Sequence, residues 1–125
     1  MEAVSKSGSL VLMLDREELR HLNNALNEVC NGFAVANFEA AIGVTKPQAT
    51  DLLQRVHRLD GQRRMELALS DLDALRNSLT SVLSELEPWE YPTRMGFEVS
   101  ESQALRNRLD ALASEVRFGR LPQSA

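Results

Sequence analysis

One pattern constrains this chain more than any other: much of it returns after 53 residues. Leu19, Leu22, Asn24, Leu26 and Val29 recur as Leu72, Leu75, Asn77, Leu79 and Val82. At the same shift Phe38, Ile42, Gly43 and Val44 recur as Tyr91, Met95, Gly96 and Phe97. Leucines at helical spacing recur in any helical protein, but a shared asparagine and glycine are not products of amphipathicity. The flanking pieces align at 55 instead, where Leu12, Leu14 and Asp15 meet Leu67, Leu69 and Ser70, and Thr45 and Gln48 meet Ser100 and Gln103. Two-residue length changes at the first helix start and before the second helix account for the difference. The chain therefore reads as two copies of one unit.

Each unit begins with a short apolar run, Leu10–Leu14 or Met65–Leu69, too short for a stable helix and ending at a helix cap, which predicts a strand. Asp15 with Glu18 forms a capping box, and Ser70 with Asp73 approximates one. The first helix then carries Leu19, Leu22, Leu26, Val29 and Cys30 on one face and ends near Gly32. Its counterpart carries Leu72, Leu75, Leu79, Val82, Leu83 and Leu86 and stops at Pro88. After a loop, Thr45-x-x-Gln48 opens a helix with Ala49, Leu52, Leu53, Val56 and Leu59 on one face. Ser100-x-x-Gln103 opens its counterpart, with Leu105, Leu109, Leu112 and Val116.

Five-residue strands are marginal alone, so the two are expected to pair across a pseudo-two-fold axis beneath four amphipathic helices. The expected fold class is α+β and mostly helical: two pseudo-symmetric β-α-α repeats sharing a two-stranded ribbon. A chain of 125 residues makes one domain, 1–125, with units at about 9–60 and 64–116 and a frayed tail at 117–125. Its 43% apolar and 26% charged residues place it among chains able to bury a core. Cys30 is the only cysteine, which rules out an internal disulfide and points to the cytoplasm. Neither a secretory leader nor a membrane span is expected, because no apolar run is long enough.

The titratable residues suggest no catalytic apparatus, cofactor or metal. No phosphate-binding glycine loop, metal-spaced cysteine pair, HExxH motif or nucleophile elbow occurs. His21 and His57 read as surface residues and Cys30 as an inert buried thiol. No carboxylate is marked by an apolar setting as an acid or base. Asn24 and Asn77 read as structural, each amide bonding backbone at the centre of its unit.

Charge is uneven along a chain of net charge −4. Val44–Met65 holds Lys46, Arg55, Arg58, Arg63 and Arg64 against Asp51 and Asp60, a balance of +3. Glu66–Ala104 holds eight acids against Arg76 and Arg94, a balance of −6. A basic patch and an acidic face suit different partners.

Two stretches resemble known groups. Phe38-Glu-Ala-Ala-Ile-Gly43-Val-Thr45-Lys-Pro-Gln-Ala-Thr-Asp-Leu-Leu53 resembles the helix-turn-helix of winged-helix transcription regulators. That resemblance implies DNA contact by Lys46, Gln48, Thr50, Asp51 and Arg55, with Arg63 and Arg64 reaching phosphates. Glu39, however, stands where such motifs place a small residue. Leu22-Asn-Asn-Ala-Leu-Asn-Glu-Val-Cys-Asn-Gly32, followed by Phe38-Glu-x-x-Ile-Gly43, is similar to small bacterial proteins encoded beside polymorphic toxins. This second resemblance implies an immunity protein that neutralises a cognate toxin.

The leading expectation is a non-enzymatic protein-binding module whose partner is another protein, a basic toxin domain, with no membrane partner. Nucleic acid is the alternative. The binding surface is expected at Glu85, Glu87, Trp89, Glu90 and Arg94. Residues shared by both units are explained by the fold, whereas Trp89, Glu87 and Glu90 stand opposite Ala36, Ala34 and Asn37.

Overall fold

The computed structural model describes residues 1–59 and 63–123. Three strands, β1 (Glu2–Lys6), β2 (Ser9–Met13) and β3 (Arg64–Leu67), form an antiparallel sheet in the order β1-β2-β3. The helices are α1 (Arg16–Asn27), α2 (Phe38–Ile42), α3 (Lys46–His57), α4 (Leu69–Glu85), α5 (Tyr91–Met95) and α6 (Val99–Arg117). A π-helical turn, Glu28–Gly32, extends α1. The fold is α+β and mostly helical.

The expected pairing of β2 with β3 is present, with Leu10 opposite Leu67, Leu12 opposite Met65 and Met13 opposite Arg64. The sheet has three strands rather than two. The polar N-terminal run Glu2-Ala3-Val4-Ser5-Lys6 pairs along the other edge of β2 through a two-residue hairpin turn. Ser7 and Gly8 both have positive φ there (46° and 87°), the geometry whose twist matches paired strands. The C-terminal segment, expected to be frayed, is anchored through Gln123. Leu121 is buried, Pro122 accepts a hydrogen bond from Ser5 N–H at 2.8 Å, and Gln123 bridges Ser5.

Local chemistry sets the helix starts. Asp15 and Glu18 form the expected box, at 2.7 and 2.9 Å, and Thr45 and Gln48 form theirs, at 3.3 and 2.8 Å. In the second half both starts fall two residues before the expected Ser70 and Ser100. Asp71 reaches back to Ala68 N–H at 3.0 Å, and Glu101 reaches back to Glu98 N–H at 2.9 Å. The acid at the third helical position sets these starts, without a side-chain cap from Ala68 or Glu98. Ala68 and Glu98 thus lie 53 residues after Asp15 and Thr45. The segments expected as loops before α3 and α6 contain the short helices α2 and α5.

The strands contribute side chains to the core. Met65 and Leu67 of β3 are buried and alternate with exposed Arg64 and Glu66. Leu12, Leu22, Leu26, Leu52, Leu72, Leu75, Leu79, Leu105 and Leu109 belong to one continuous core. The short helices cross between halves. Asn24 on α1 donates its amide to the carbonyl of Met95, the last residue of α5, at 2.9 Å. Asn77 on α4 donates to the carbonyl of Ile42, the last residue of α2, also at 2.9 Å. Each amide satisfies a carbonyl that a helix end leaves unpaired. The expected asparagine–backbone bonds thus exist, but their acceptors lie in the opposite half. Gly43 and Gly96 end these helices at φ +96° and +73°, a conformation that disfavours side chains. Two ion pairs run the same way: Arg108 of α6 to Glu18 at 3.0 Å, and Arg55 of α3 to Asp71 at 3.3 Å.

Candidate functional site

Of the residues assigned by resemblance to DNA contact, Lys46, Gln48, Thr50, Asp51 and Arg55 lie on α3, and several of their polar groups are engaged within the chain. Gln48 spends its amide oxygen on the α3 cap, and the Thr50 hydroxyl bonds the Lys46 carbonyl at 2.9 Å. Arg55 is held by Asp71 and by the Glu66 carbonyl, the latter at 2.7 Å. Lys46, Asp51, Arg63 and Arg64 are exposed. Lys46 opens α3, whose 12 residues span about 18 Å, whereas Arg63 and Arg64 lie just before and at the start of β3.

The residues assigned to a protein partner lie at the end of α4, on the turn between α4 and α5, and in α5. Leu86 and Tyr91 are buried at the two ends of the turn and fix them to the core. Between them, Glu90 N–H and Tyr91 N–H both donate to the Glu87 carbonyl, at 3.0 and 3.1 Å. The Glu90 carboxylate accepts from Glu87 N–H at 3.1 Å. This closed turn holds Trp89 outward at 79% exposure, with Glu85 and Glu87 exposed nearby in the chain.

Arg94 has a different role from the one expected of it. Its guanidinium donates to both oxygens of Glu28, at 3.0 and 2.6 Å, and lies 3.9 Å from Glu90. Glu28 is only 7% exposed, so this fork-to-fork pair secures the turn rather than standing free for a partner. Gly32, at the end of the π turn, makes room for it, because a β-carbon there would collide with the Glu28 carboxylate. Sequence reasoning missed Glu28 and Gly32. Glu28 and Arg94 are 66 residues apart, and neither stands in a motif that points to the other.

His21, expected on the surface, is 4% exposed. Its ring stacks on Phe97 with centroids 3.9 Å apart, and Nε2 hydrogen-bonds Ser102 Oγ. Desolvation pushes its pKa down to about 4, so the imidazole is neutral at pH 7. A serine beside a histidine suggests nucleophilic chemistry, but Ser102 is completely enclosed and no substrate carbonyl can reach it. The Tyr91 hydroxyl is also enclosed, with no hydrogen bond of good geometry, and burial raises its pKa. Fifty-three residues away, Ala74, Ala49 and Phe38 stand in place of His21, Ser102 and Tyr91. Cys30 is buried, and burial raises its thiol pKa, the opposite of an activated nucleophile.

A cavity of about 230 Å³ lies between the β1–β2 hairpin and the C-terminal segment, bordered by Ser9, Leu10, Leu69, Val116 and Leu121. No acid, base or thiol lines it. Among the described residues no group of three His, Cys, Asp or Glu is placed to hold a metal ion, and no helix is long and apolar enough to cross a membrane. Comparison with known proteins returned no matching family model, no similar curated protein and no similar solved structure.

Proposed function

We propose that this chain is a non-enzymatic binding protein that docks a basic protein surface onto the Trp89 turn. In the form implied by its resemblance to toxin-associated proteins, it acts in the cytoplasm as an immunity protein and covers a cognate toxin's active site. The observation that carries the reading is Trp89 itself, a large aromatic held outward by a hydrogen-bonded turn beside exposed carboxylates. Exposed aromatics on rigid backbone supply contact area with little ordering cost, and neighbouring charge selects a partner of opposite sign. The acidic balance of Glu66–Ala104 favours approach of a cationic surface.

The same reading takes the two halves as copies of one unit. It is supported by the common 53-residue spacing of caps and turn glycines, the Leu12–Met65 pair and the reciprocal Asn24 and Asn77 bonds. On that reading Ala36 shows what the fold requires at the Trp89 position, which leaves the indole free for another purpose.

The test is to isolate a stoichiometric protein partner from cells producing the chain and titrate it against wild type and the double variant Trp89→Ala/Glu87→Lys. The variant should bind more weakly by over ~2 kcal/mol while keeping its circular dichroism. Unchanged affinity would remove the turn as the docking site. Submicromolar, salt-sensitive binding of duplex DNA, lost in Arg63→Ala/Arg64→Ala, would favour nucleic acid instead.

A further inference from the structure

We infer that Glu28, in the opposite half of the chain, is a positioning residue for Trp89, acting through Arg94 and Glu90, and that the docking surface therefore offers a partner Glu85 and Glu87 but not Glu90 or Arg94. This rests on the reading of the Trp89 turn as a docking site. It goes beyond that reading in naming what holds the turn and which charges remain available.

The contacts form a continuous path. The buried Glu28 carboxylate takes Arg94 in a two-pronged bond at 3.0 and 2.6 Å. Arg94 Nη1 lies 3.9 Å from Glu90 Oε1, and that oxygen accepts the Glu87 N–H that closes the turn around Trp89. A free arginine at position 94 would repel the cationic partner that Glu85 and Glu87 attract. Paired with Glu28, it adds no net charge to the surface and orients Glu90 inward. The path begins in a π-helical turn, a local departure from α geometry that is frequent at functional sites. Gly32 in that turn leaves the space that Glu28 and Arg94 fill.

The arrangement belongs to one side of the molecule. Fifty-three residues from Glu28 and Arg94 stand Ser81 and Ala41, which cannot form such a pair, and the corresponding turn carries Ala36 in place of Trp89. The path and the tryptophan are thus present together or absent together. A bridge needed only to join the halves would have reason to occur on both sides, as the Arg55–Asp71 and Arg108–Glu18 pairs do.

Trp89 is the only tryptophan, so its fluorescence in the full chain reports the turn without any partner. Time-resolved anisotropy of wild type and Glu28→Gln provides the test, with Glu17→Gln as a control because Glu17 pairs with Arg20 at the surface. Glu28→Gln should increase the amplitude of fast indole depolarisation and lose part of the slow component, while Glu17→Gln should match wild type. If Glu28→Gln fails to fold, Glu90→Ala removes the oxygen that accepts the Glu87 N–H and should give the same gain in fast motion. A purely structural bridge would lower the melting temperature yet leave the indole's motion in the folded protein unchanged, and that result overturns the inference. Mobility that increases as expected while Trp89→Ala/Glu87→Lys binds the isolated partner normally would instead remove the docking site and leave the positioning role intact.

Discussion

His21 shows how a single side chain can tie stability to pH. Its imidazole is enclosed by α1 and α6, stacked on Phe97, with Glu101 favouring the charged form and Arg108 and Arg20 opposing it. Desolvation outweighs these charges and holds the folded pKa near about 4, against an ordinary value of 6.5. Between those values the unfolded chain binds a proton that the folded chain refuses. This contribution is therefore complete above pH 6.5 and is lost as pH falls toward 4, by at most about 3 kcal/mol. Denaturant melts across pH 4–7 should show a steeper loss for wild type than for His21→Ala, whose counterpart Ala74 already fills the matching position. Parallel pH profiles would mean that His21 titrates normally in the folded state. The burial of His21 was not legible in the sequence, because it lies beside the leucine stripe and its covering partners, Phe97 and Ser102, come from the far half. Glu28 was hidden for the same reason, whereas Cys30 lay within the stripe and could be placed directly.

At the level of elements, whatever depends on neighbours three or four residues away was readable, and whatever depends on distant pairing was not. The boxes at Asp15 and Thr45 were evident because both arms lie within four residues. The starts of α4 and α6 are not marked by the serines at positions 70 and 100, because the acids at 71 and 101 set them through reach-back bonds. β1 escaped because its residues are mostly polar, and it becomes a strand only through β2; the Ser7-Gly8 turn before an apolar run was the available signal. The apolar stripes of α1 and α4 were legible, and they define the centre of the fold. Leu26 and Leu79, one on each helix, are both fully buried. Leu26→Ala and Leu79→Ala should each cost about 2–5 kcal/mol in denaturant melts, the range for truncating a leucine in a close-packed core. A cost under about 0.5 kcal/mol for either would mean that its helix face is poorly packed.

Across the whole molecule, the sequence could not decide which long helix each short helix would cover. The helices α1 and α4 carry similar apolar stripes, so docking within a half and docking across halves satisfy the same apolar pattern. The choice rests on the reciprocal bonds from Asn24 to Met95 and from Asn77 to Ile42, with Arg108–Glu18 and Arg55–Asp71 crossing alongside. Crossing has a consequence for stability. The carbonyl ending α2 is satisfied from α4, and the carbonyl ending α5 is satisfied from α1. If one half opened alone, the other would lose an amide partner, an ion pair and the cover over its long helix, and buried polar groups would be left unsatisfied. Neither half therefore has a closed core of its own, and partial unfolding should lie close in free energy to complete unfolding. Native-state hydrogen exchange tests this directly. The slowest amides of α1 and α4 should share one opening free energy, equal to that of global unfolding. Asn24→Ala should lower protection in α4 as much as in α1, although its bond serves α5. Separate opening free energies for α1 and α4, or an Asn24→Ala effect confined to α1 and α5, would mean that the halves are independently stable and only touch.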